Sequence, residues 1–439
     1  MNIYDILRRK RLGLNLSYQE IDFIVKGYYY GNIPDYQMSA FLTSTVIHGM
    51  NEEEIFAFTK AMIDTGVVVD YKDIQGIKVD KHSTGGVGDS VSIIVVPLLC
   101  CLGYKVPKLS GRSLGHTGGT IDKMESIPNL RTGLTLDHMM ESLKSVGGFI
   151  SQPLNLAPAD KKIYALRDVT ANVDSIPLIA SSIMSKKIAA NADVIILDVK
   201  VGNGAFMRDY QQALELSNAM ISIAQKFGKK CAAIITDMNQ PLNNHIGNYL
   251  EIISSIDFLK GNYNKYSRLK EVCFSVISLI HCLANNIEYS EKVKEEVYQL
   301  VEKLINTGEA IEKFRQIIQN QGGQANIIDD PYSYFGPKIE YEYKSPSNGF
   351  VHFDTYLLGL ASGELGLSRK TIEDKVDNNA GIILNVEAGQ YVNEGQTIMK
   401  LYAKDSKSLE KALEITQKAL IFSEQPIKTN TIYCVVGGK

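Results

Sequence analysis

Ten consecutive residues, Lys81-His82-Ser83-Thr84-Gly85-Gly86-Val87-Gly88-Asp89-Ser90, combine a cation, a histidine, three small hydroxyls and three glycines. Glycines let backbone amides approach an anion, hydroxyls donate hydrogen bonds and lysine adds charge. A second segment, Ser110-Gly111-Arg112-Ser113-Leu114-Gly115-His116-Thr117-Gly118-Gly119-Thr120, repeats that composition just after Lys108. Either loop alone could be a plain turn. Together they suggest one phosphate gripped from two sides by Lys81, Ser83, Lys108, Ser110, Arg112 and Thr120, with Ser92 adding a hydroxyl beyond Ser90. Neither loop has the spacing of an NTP-binding P-loop or of a dinucleotide fingerprint, so a small phosphate ligand fits better. His82, inside the grip, is either a structural histidine or a catalytic one. Its lysine neighbour should lower its pKa and a bound phosphate should raise it, so sequence leaves its charge open.

A second constellation lies downstream. Tyr164 and Arg167 are three apart on one predicted helix, and Ser182 and Lys186 are four apart on the next. Each pair therefore projects from one face, as a cleft wall or as an exposed charged surface. A third segment, Asp198 to Met207, reads as a strand and glycine turn whose Asp198 and Lys200 either pair with the first loop or cap the sheet.

These residues need a scaffold. The first sixty-five residues read as helices, with Ser17/Glu20 and Asn51/Glu54 at capping-box spacing. Short β-branched runs follow at Val91–Val96, Lys105–Leu109, Asp193–Val199 and Cys231–Thr236, alternating with helical patterns. That alternation predicts a mostly parallel sheet, with ligand loops at its carboxyl ends. A helical insert over 158–190 is expected to join the N-terminal helices in a separate lobe. Residues 264–320 are again helical, and the charges of Glu291 to Lys303 form a solvated face. Pro and Gly punctuation near 330 marks a boundary, beyond which Gly381 to Leu384 and Gly389 to Ile398 read as strands with tight turns. They look like a biotinyl- or lipoyl-type sandwich, but Lys400 ends that pattern and is not expected to carry a cofactor.

The 439 residues suffice for two or three domains. A net charge of −3 gives no bulk pull on nucleic acid or anionic lipid, so neither is an expected partner. The six cysteines lie mostly in apolar runs without CxxC spacing and are expected to be reduced structural thiols in a cytoplasmic protein. The basic residues near the N-terminus precede no apolar core of a signal peptide. The longest apolar run, Val91 to Leu102, contains Pro97 and is too short to span a bilayer.

The first loop resembles the first phosphate loop of the thymidine/pyrimidine-nucleoside phosphorylase family, and Ser110 through Glu125 resembles that family's signature. Tyr164 to Thr170 and Ser181 to Lys187 resemble its base-binding helices, and the similarity runs nearly end to end. The resemblance implies an α/β fold: a helical lobe (1–65 and 158–193, base-binding and dimerisation), a large α/β lobe with a mostly parallel sheet (66–157 and 194–330), and a C-terminal α+β domain with a sandwich-hybrid-like part (331–439). Lobe closure would pivot near 66–80, 155–160 and 191–193. It implies reversible phosphorolysis of pyrimidine nucleosides by a homodimer, with inorganic phosphate as co-substrate and no organic cofactor.

By the same resemblance Lys81, Ser83, Ser92, Ser110 and Thr120 bind phosphate, with His82 and Lys108 adjoining, and Tyr164, Arg167, Ser182 and Lys186 hold the pyrimidine. His82, Arg167 and Lys186 would serve the chemistry. Ser181 to Ala190 looks most like members accepting uridine and thymidine; Val201 and Glu125 to Pro128 favour the alternative, a thymidine-specific enzyme. A phosphoribosyltransferase and a non-catalytic pyrimidine- or phosphate-binding regulator are the more distant readings. Three positions depart from the pattern: Ser113 for Gly, Asn203 for a small residue, Ser90 for Thr. Some members hold a monovalent cation, potassium, through positions matching Gly88, Ser90, Leu242, His245 and Ser254. The family has a glutamate at the position of Ser254, so the set here lacks its formal anion.

Overall fold

Ser17 and Asn51 start their helices as the capping pattern predicts, each side-chain oxygen accepting the amide of the glutamate three residues on, while that carboxylate reaches back. A computed structural model describes all residues but 113–115, 117, 154, 369–374, 428 and 439. The chain opens with α1 (Ile3–Arg11), α2 (Tyr18–Tyr29), α3 (Asp35–His48) and α4 (Glu52–Ile63). Next come β1 (Val79–Ser83), α5 (Val91–Cys101), β2 (Val106–Leu109), α6 (Thr120–Glu125), α7 (Leu136–Ser145) and β3 (Gly148–Ser151). The insert is α8 (Pro158–Val169) and α9 (Ile176–Ala189). Then follow β4 (Val194–Val201), α10 (Tyr210–Lys226), β5 (Lys230–Asp237), β6 (His245–Ile246) and α11 (Asn248–Asp257). Three helices, α12 (Ser267–Asn285), α13 (Glu291–Asn306) and α14 (Glu309–Asn320), close the α/β part. The remainder holds β7 (Ile339–Lys344), β8 (Gly349–Phe353), α15 (Thr355–Ser362), β9 (Gly381–Leu384), β10 (Gln390–Val392), β11 (Thr397–Ala403), α16 (Ser406–Ala419), β12 (Leu420–Ser423) and β13 (Ile432–Gly437).

The central sheet runs β1-β4-β5-β13, parallel through the first three strands, with β13 antiparallel at the edge. A parallel bridge from Lys78 to Lys105 carries it on to the parallel pair β2-β3. Strand pairing crosses the expected boundary at 330 twice: β13 returns to the central sheet, and β6 joins β9, β11 and β7. Asn203 ties the same two parts, its amide donating to Asp354 (3.2 Å) and its carbonyl oxygen accepting from the Tyr356 amide (2.8 Å). In the other parts, α8 and α9 pack on α2 and α4, and β10-β8-β12 forms a second small sheet. Lys400 pairs with Glu340 (2.7 Å) and Glu342 (3.5 Å) on the neighbouring strand β7.

The expected strand Val91–Val96 is instead the start of helix α5. Its residues from Val91 to Cys100 are all buried, so no amphipathic period marks it. An apolar run of this kind reads equally as a buried strand or a buried helix, and its length favours the helix. The consequence is functional: Ser90 stands at the N-cap position, its hydroxyl turned to Glu251, and Ser92 sits in the first turn, with no strand face shared between them. The other three expected strands are present within one or two residues. Segments around the expected pivots touch directly: a Cβ on Gly66 would lie 2.5 Å from Pro158 and 2.6 Å from the Asn155 carbonyl.

Among the described residues no helix is long and apolar enough to cross a membrane. All six cysteines are free.

Candidate active site

Strand β1 alternates its side chains between two faces. Lys81 and Ser83 point one way, Asp80 and His82 the other, and each face meets its own set of charges. On the first, the Lys81 ammonium lies 2.9 Å from Asp198, which also holds Lys200 at 2.7 Å. Asp198 accepts the Thr236 hydroxyl (2.7 Å), and Asp89 accepts the Ser83 hydroxyl (2.5 Å). Lys123 donates to the Asp89 carbonyl (2.9 Å). Lys200, Lys81 and Lys123 hold the Asp89 carboxyl far below its ordinary range despite burial. Asp198 and Lys200 thus pair with the first glycine loop, one of the two readings their sequence allowed.

On the second face Asp80 receives Lys187 of α9 at 2.8 Å and Lys108 of β2 at 3.6 Å. Lys187 also donates to the Leu109 carbonyl (3.0 Å), and Lys108 to the Lys81 carbonyl. Burial pulls the Lys108 ammonium down to about 7, with Asp80 opposing and Lys187 and Lys81 reinforcing the fall. Burial is also the largest reason the His82 imidazole falls well below its usual pKa, and Lys187, Lys108, Lys81 and Lys186 push it further. At neutral pH His82 is therefore a neutral ring. Its Nε2 is buried with no hydrogen-bond partner among the described residues. Of the two opposing influences named from sequence, burial and the lysines set this direction, and a bound phosphate would act against them.

Above these networks lies a cleft of about 480 Å³. One wall carries His82, Ser83, Ser92, Lys108, Ser110 and Thr120; the other carries Tyr164, Arg167, Ser182 and Lys186. All but one of the anion- and base-side candidates therefore share one cavity. Lys81 is the exception. Its ammonium sits beneath the loop on Asp198 and Asp89, so in this conformation it supports the wall without forming it. Ser92 presents its hydroxyl from the first turn of α5, where backbone amides lack partners in a preceding turn and the helix dipole favours an anion.

The opposite wall is built from α8 and α9. Arg167 is 1% exposed and donates to the carbonyls of Asn172 (2.9 Å), Val173 (2.7 Å) and Leu178 (3.1 Å). A guanidinium has five N–H groups, so it locks the α8–α9 connection and still has donors for the cleft. Its charge lies 5.6 Å from the Tyr164 ring centre. The Lys186 side chain is 37% exposed, pairs with buried Asp160, and donates to the Ser182 hydroxyl (3.3 Å). Val173, Ile179, Ile183 and Phe206 add apolar surface. The result is two cations, two hydroxyl groups and an apolar lining, suited to a flat polar ring. Of the second loop, His116 Nε2 lies 3.0 Å from the Gly204 carbonyl, whereas Ser113 lies outside the described residues.

Sequence reasoning missed Asp80, Asp160 and Lys187. Lys187 follows Lys186, and one helical step of about 100° turns its ammonium to Asp80 at the edge of the cleft. No local pattern connects Asp80 with Lys187, which are 107 residues apart. The cation positions implied by the resemblance, Gly88, Ser90, Leu242 and His245, form no part of this cleft's lining.

Comparisons with known proteins identify the family. Residues 75–311 match the model of the glycosyl transferase family a/b domain, residues 4–66 its helical bundle domain, and residues 351–423 the pyrimidine nucleoside phosphorylase C-terminal domain. A pyrimidine-nucleoside phosphorylase of Staphylococcus haemolyticus is 44% identical over 427 residues, covering 95% of this chain and 97% of that protein. One from Geobacillus stearothermophilus is 44% identical over 405 residues, 92% of each. The crystal structure of anthranilate phosphoribosyltransferase from Thermus thermophilus shares the fold, with a TM-score of 0.58 at 15% identity over 73% of this chain and all of that one. With a two-walled cleft of this chemistry and relatives matching from end to end, the chain belongs to the pyrimidine-nucleoside phosphorylase family.

Proposed function

We propose that the protein catalyses reversible phosphorolysis of pyrimidine nucleosides, uridine, thymidine and deoxyuridine, to the free base and (deoxy)ribose 1-phosphate. One observation carries the reading. A single cleft opposes an anion-binding wall, at a helix N-terminus with hydroxyls and Lys108, to a wall of Arg167, Lys186, Ser182 and Tyr164. Both relatives named above are pyrimidine-nucleoside phosphorylases.

Phosphate held by Ser83, Ser92, Lys108, Ser110 and Thr120 is the nucleophile. Its oxygen bonds to the sugar C1′ while the C1′–N1 bond breaks, the bonding pair leaving with the pyrimidine. Glycosidic cleavage of this kind passes through an oxocarbenium-like state. Negative charge grows on the base, where the Lys186 ammonium and the remaining Arg167 donors stabilise it. Neutral His82 donates a hydrogen bond to a base carbonyl; it is too weak a base in this setting to be a proton store. Lys187 already joins α9 to β1, and closure about the touching segments at 66 and 155–158 would bring the reactants together and exclude water.

Homodimerisation through the helical lobe is part of this proposal. The exposed side of α3 repeats Tyr36, Ala40, Thr43 and Ile47, an uncharged stripe at helical spacing, with Tyr36 74% and Ile47 69% exposed. Sedimentation velocity checks it. A cytoplasmic role in nucleoside salvage is also proposed.

The deciding assay is release of uracil from uridine and thymine from thymidine, with and without phosphate. Release that needs phosphate is expected for both. No release from either overturns the proposal, and release from thymidine alone favours the thymidine-specific alternative suggested by Val201.

A further inference from the structure

The family implies a monovalent cation at Gly88, Ser90, Leu242, His245 and Ser254, and in this chain those residues do not fit one. The two segments involved do meet. The Leu242 amide donates to the Val87 carbonyl (3.2 Å), and a Cβ on Gly88 would lie 3.0 Å from the backbone of Asn243. Between them lies the side-chain amide of Asn243, 3% exposed. Its Nδ2 donates to the Ser254 hydroxyl (2.7 Å) and to the Ser90 hydroxyl (3.3 Å), while its Oδ1 accepts the His245 amide (3.1 Å). An amide nitrogen presents hydrogens and offers a cation no lone pair. It points hydrogens, not lone pairs, at the two hydroxyl oxygens of the set.

Charge argues the same way. The carboxylate touching this set is Glu251, which accepts the Ser90 hydroxyl at 2.9 Å. Lys123 already neutralises it at 2.7 Å, and both side chains are 1–2% exposed. With Ser254 in place of a glutamate, a cation added here would be buried without a counter-charge, which is costly. Alkali and alkaline-earth cations are instead held by several oxygens with net negative charge.

We infer that this chain has exchanged the family's bound cation for a side-chain amide. Asn243 cross-links Ser90 and Ser254 and so fixes the far end of the first glycine loop without an ion. The inference takes only the location from the family; it does not depend on the proposed reaction.

Thermal unfolding in equal concentrations of potassium chloride and choline chloride tests it, because a ligand of the native state raises the unfolding temperature by mass action. The native chain should unfold at the same temperature in both salts. A higher midpoint in potassium overturns the inference, and that measurement needs no variant. The double variant Asn243→Gly/Ser254→Glu restores space and a carboxylate. It should unfold roughly 2 °C or more higher in potassium than in choline. Folding only in potassium supports the exchange equally. A double variant indifferent to potassium overturns the role assigned to the amide, and unfolding in both salts does likewise. Because the readout is stability, an absence of phosphorolysis would leave this result intact.

Discussion

The two walls of the cleft place similar charges in opposite settings. On the α/β side Lys81, Lys108 and Lys200, with Lys187 reaching in from α9, are nearly inaccessible and matched by Asp80, Asp89 and Asp198. On the helical side Lys186 is more than a third exposed and has one carboxylate partner, Asp160. A buried network is costly to break, since each lost partner strands a charge in low dielectric. A half-exposed ammonium can be removed more cheaply in stability, yet it is free to meet developing charge. On the proposed reaction, the contrast gives one wall the task of holding a shape for phosphate and the other that of responding to the leaving base.

The largest effect is expected beneath the phosphate wall. Asp198→Ala removes the shared partner of Lys81 and Lys200 and the acceptor of Thr236. It should cost about 3–5 kcal/mol, read as a lower urea midpoint. Asp198→Asn, which keeps an acceptor for Thr236, should fall between the two. An unchanged midpoint for Asp198→Ala would break the comparison.

Next comes Lys186→Ala. Loss of a group that stabilises transition-state charge should lower kcat by roughly 10²–10³-fold. Its urea midpoint should move less than that of Asp198→Ala. Near-normal turnover would remove Lys186 from the chemistry, and a larger stability loss than Asp198→Ala would reverse the contrast between the walls.

Asp160 sharpens the contrast further, as a positioning residue that acts through Lys186. Asp160→Asn should reduce kcat roughly tenfold through misplacement of the ammonium, leaving the KM for phosphate unchanged. Asp160→Glu should recover part of the loss. An equal rise in both KM values would point to a general structural role.

The difference between the walls also explains what sequence could reveal. Cleft-facing groups were legible because glycine loops and i, i+3 or i, i+4 pairs are local patterns: Ser83, Ser110 and Thr120 on one side, Tyr164/Arg167 and Ser182/Lys186 on the other. The capping boxes of α2 and α4 were legible for the same reason. The supporting carboxylates were not, because Asp80 with Lys187 and Ser90 with Glu251 are joined only by the fold. Helix α5 escaped because complete burial erases the period that separates helix from strand. The ion pair beneath Lys81 was hidden for the same reason as those carboxylates: Asp198 lies opposite Ser83 in the next strand and holds the ammonium.

The smallest effect concerns protons. Lys108 sits at about 7 in the folded protein, against 10.5 when free, because burial and neighbouring lysines oppose its charge. The unfolded chain therefore binds more protons between those values, so this group subtracts stability as pH falls from above 10.5 through about 7. A phosphate dianion beside it reverses the balance and raises its pKa. At about pH 8 phosphate binding should take up as much as about one proton, seen in calorimetry as an apparent enthalpy that rises with the ionisation enthalpy of the buffer. His82, held well below 6.5, is still neutral there, so Lys108→Met should remove most of the uptake. Uptake at about pH 8 that persists in Lys108→Met would mean that the proton enters elsewhere. The buried wall would then bind phosphate through its hydroxyls and helix amides, with its lysines serving only to hold the loop.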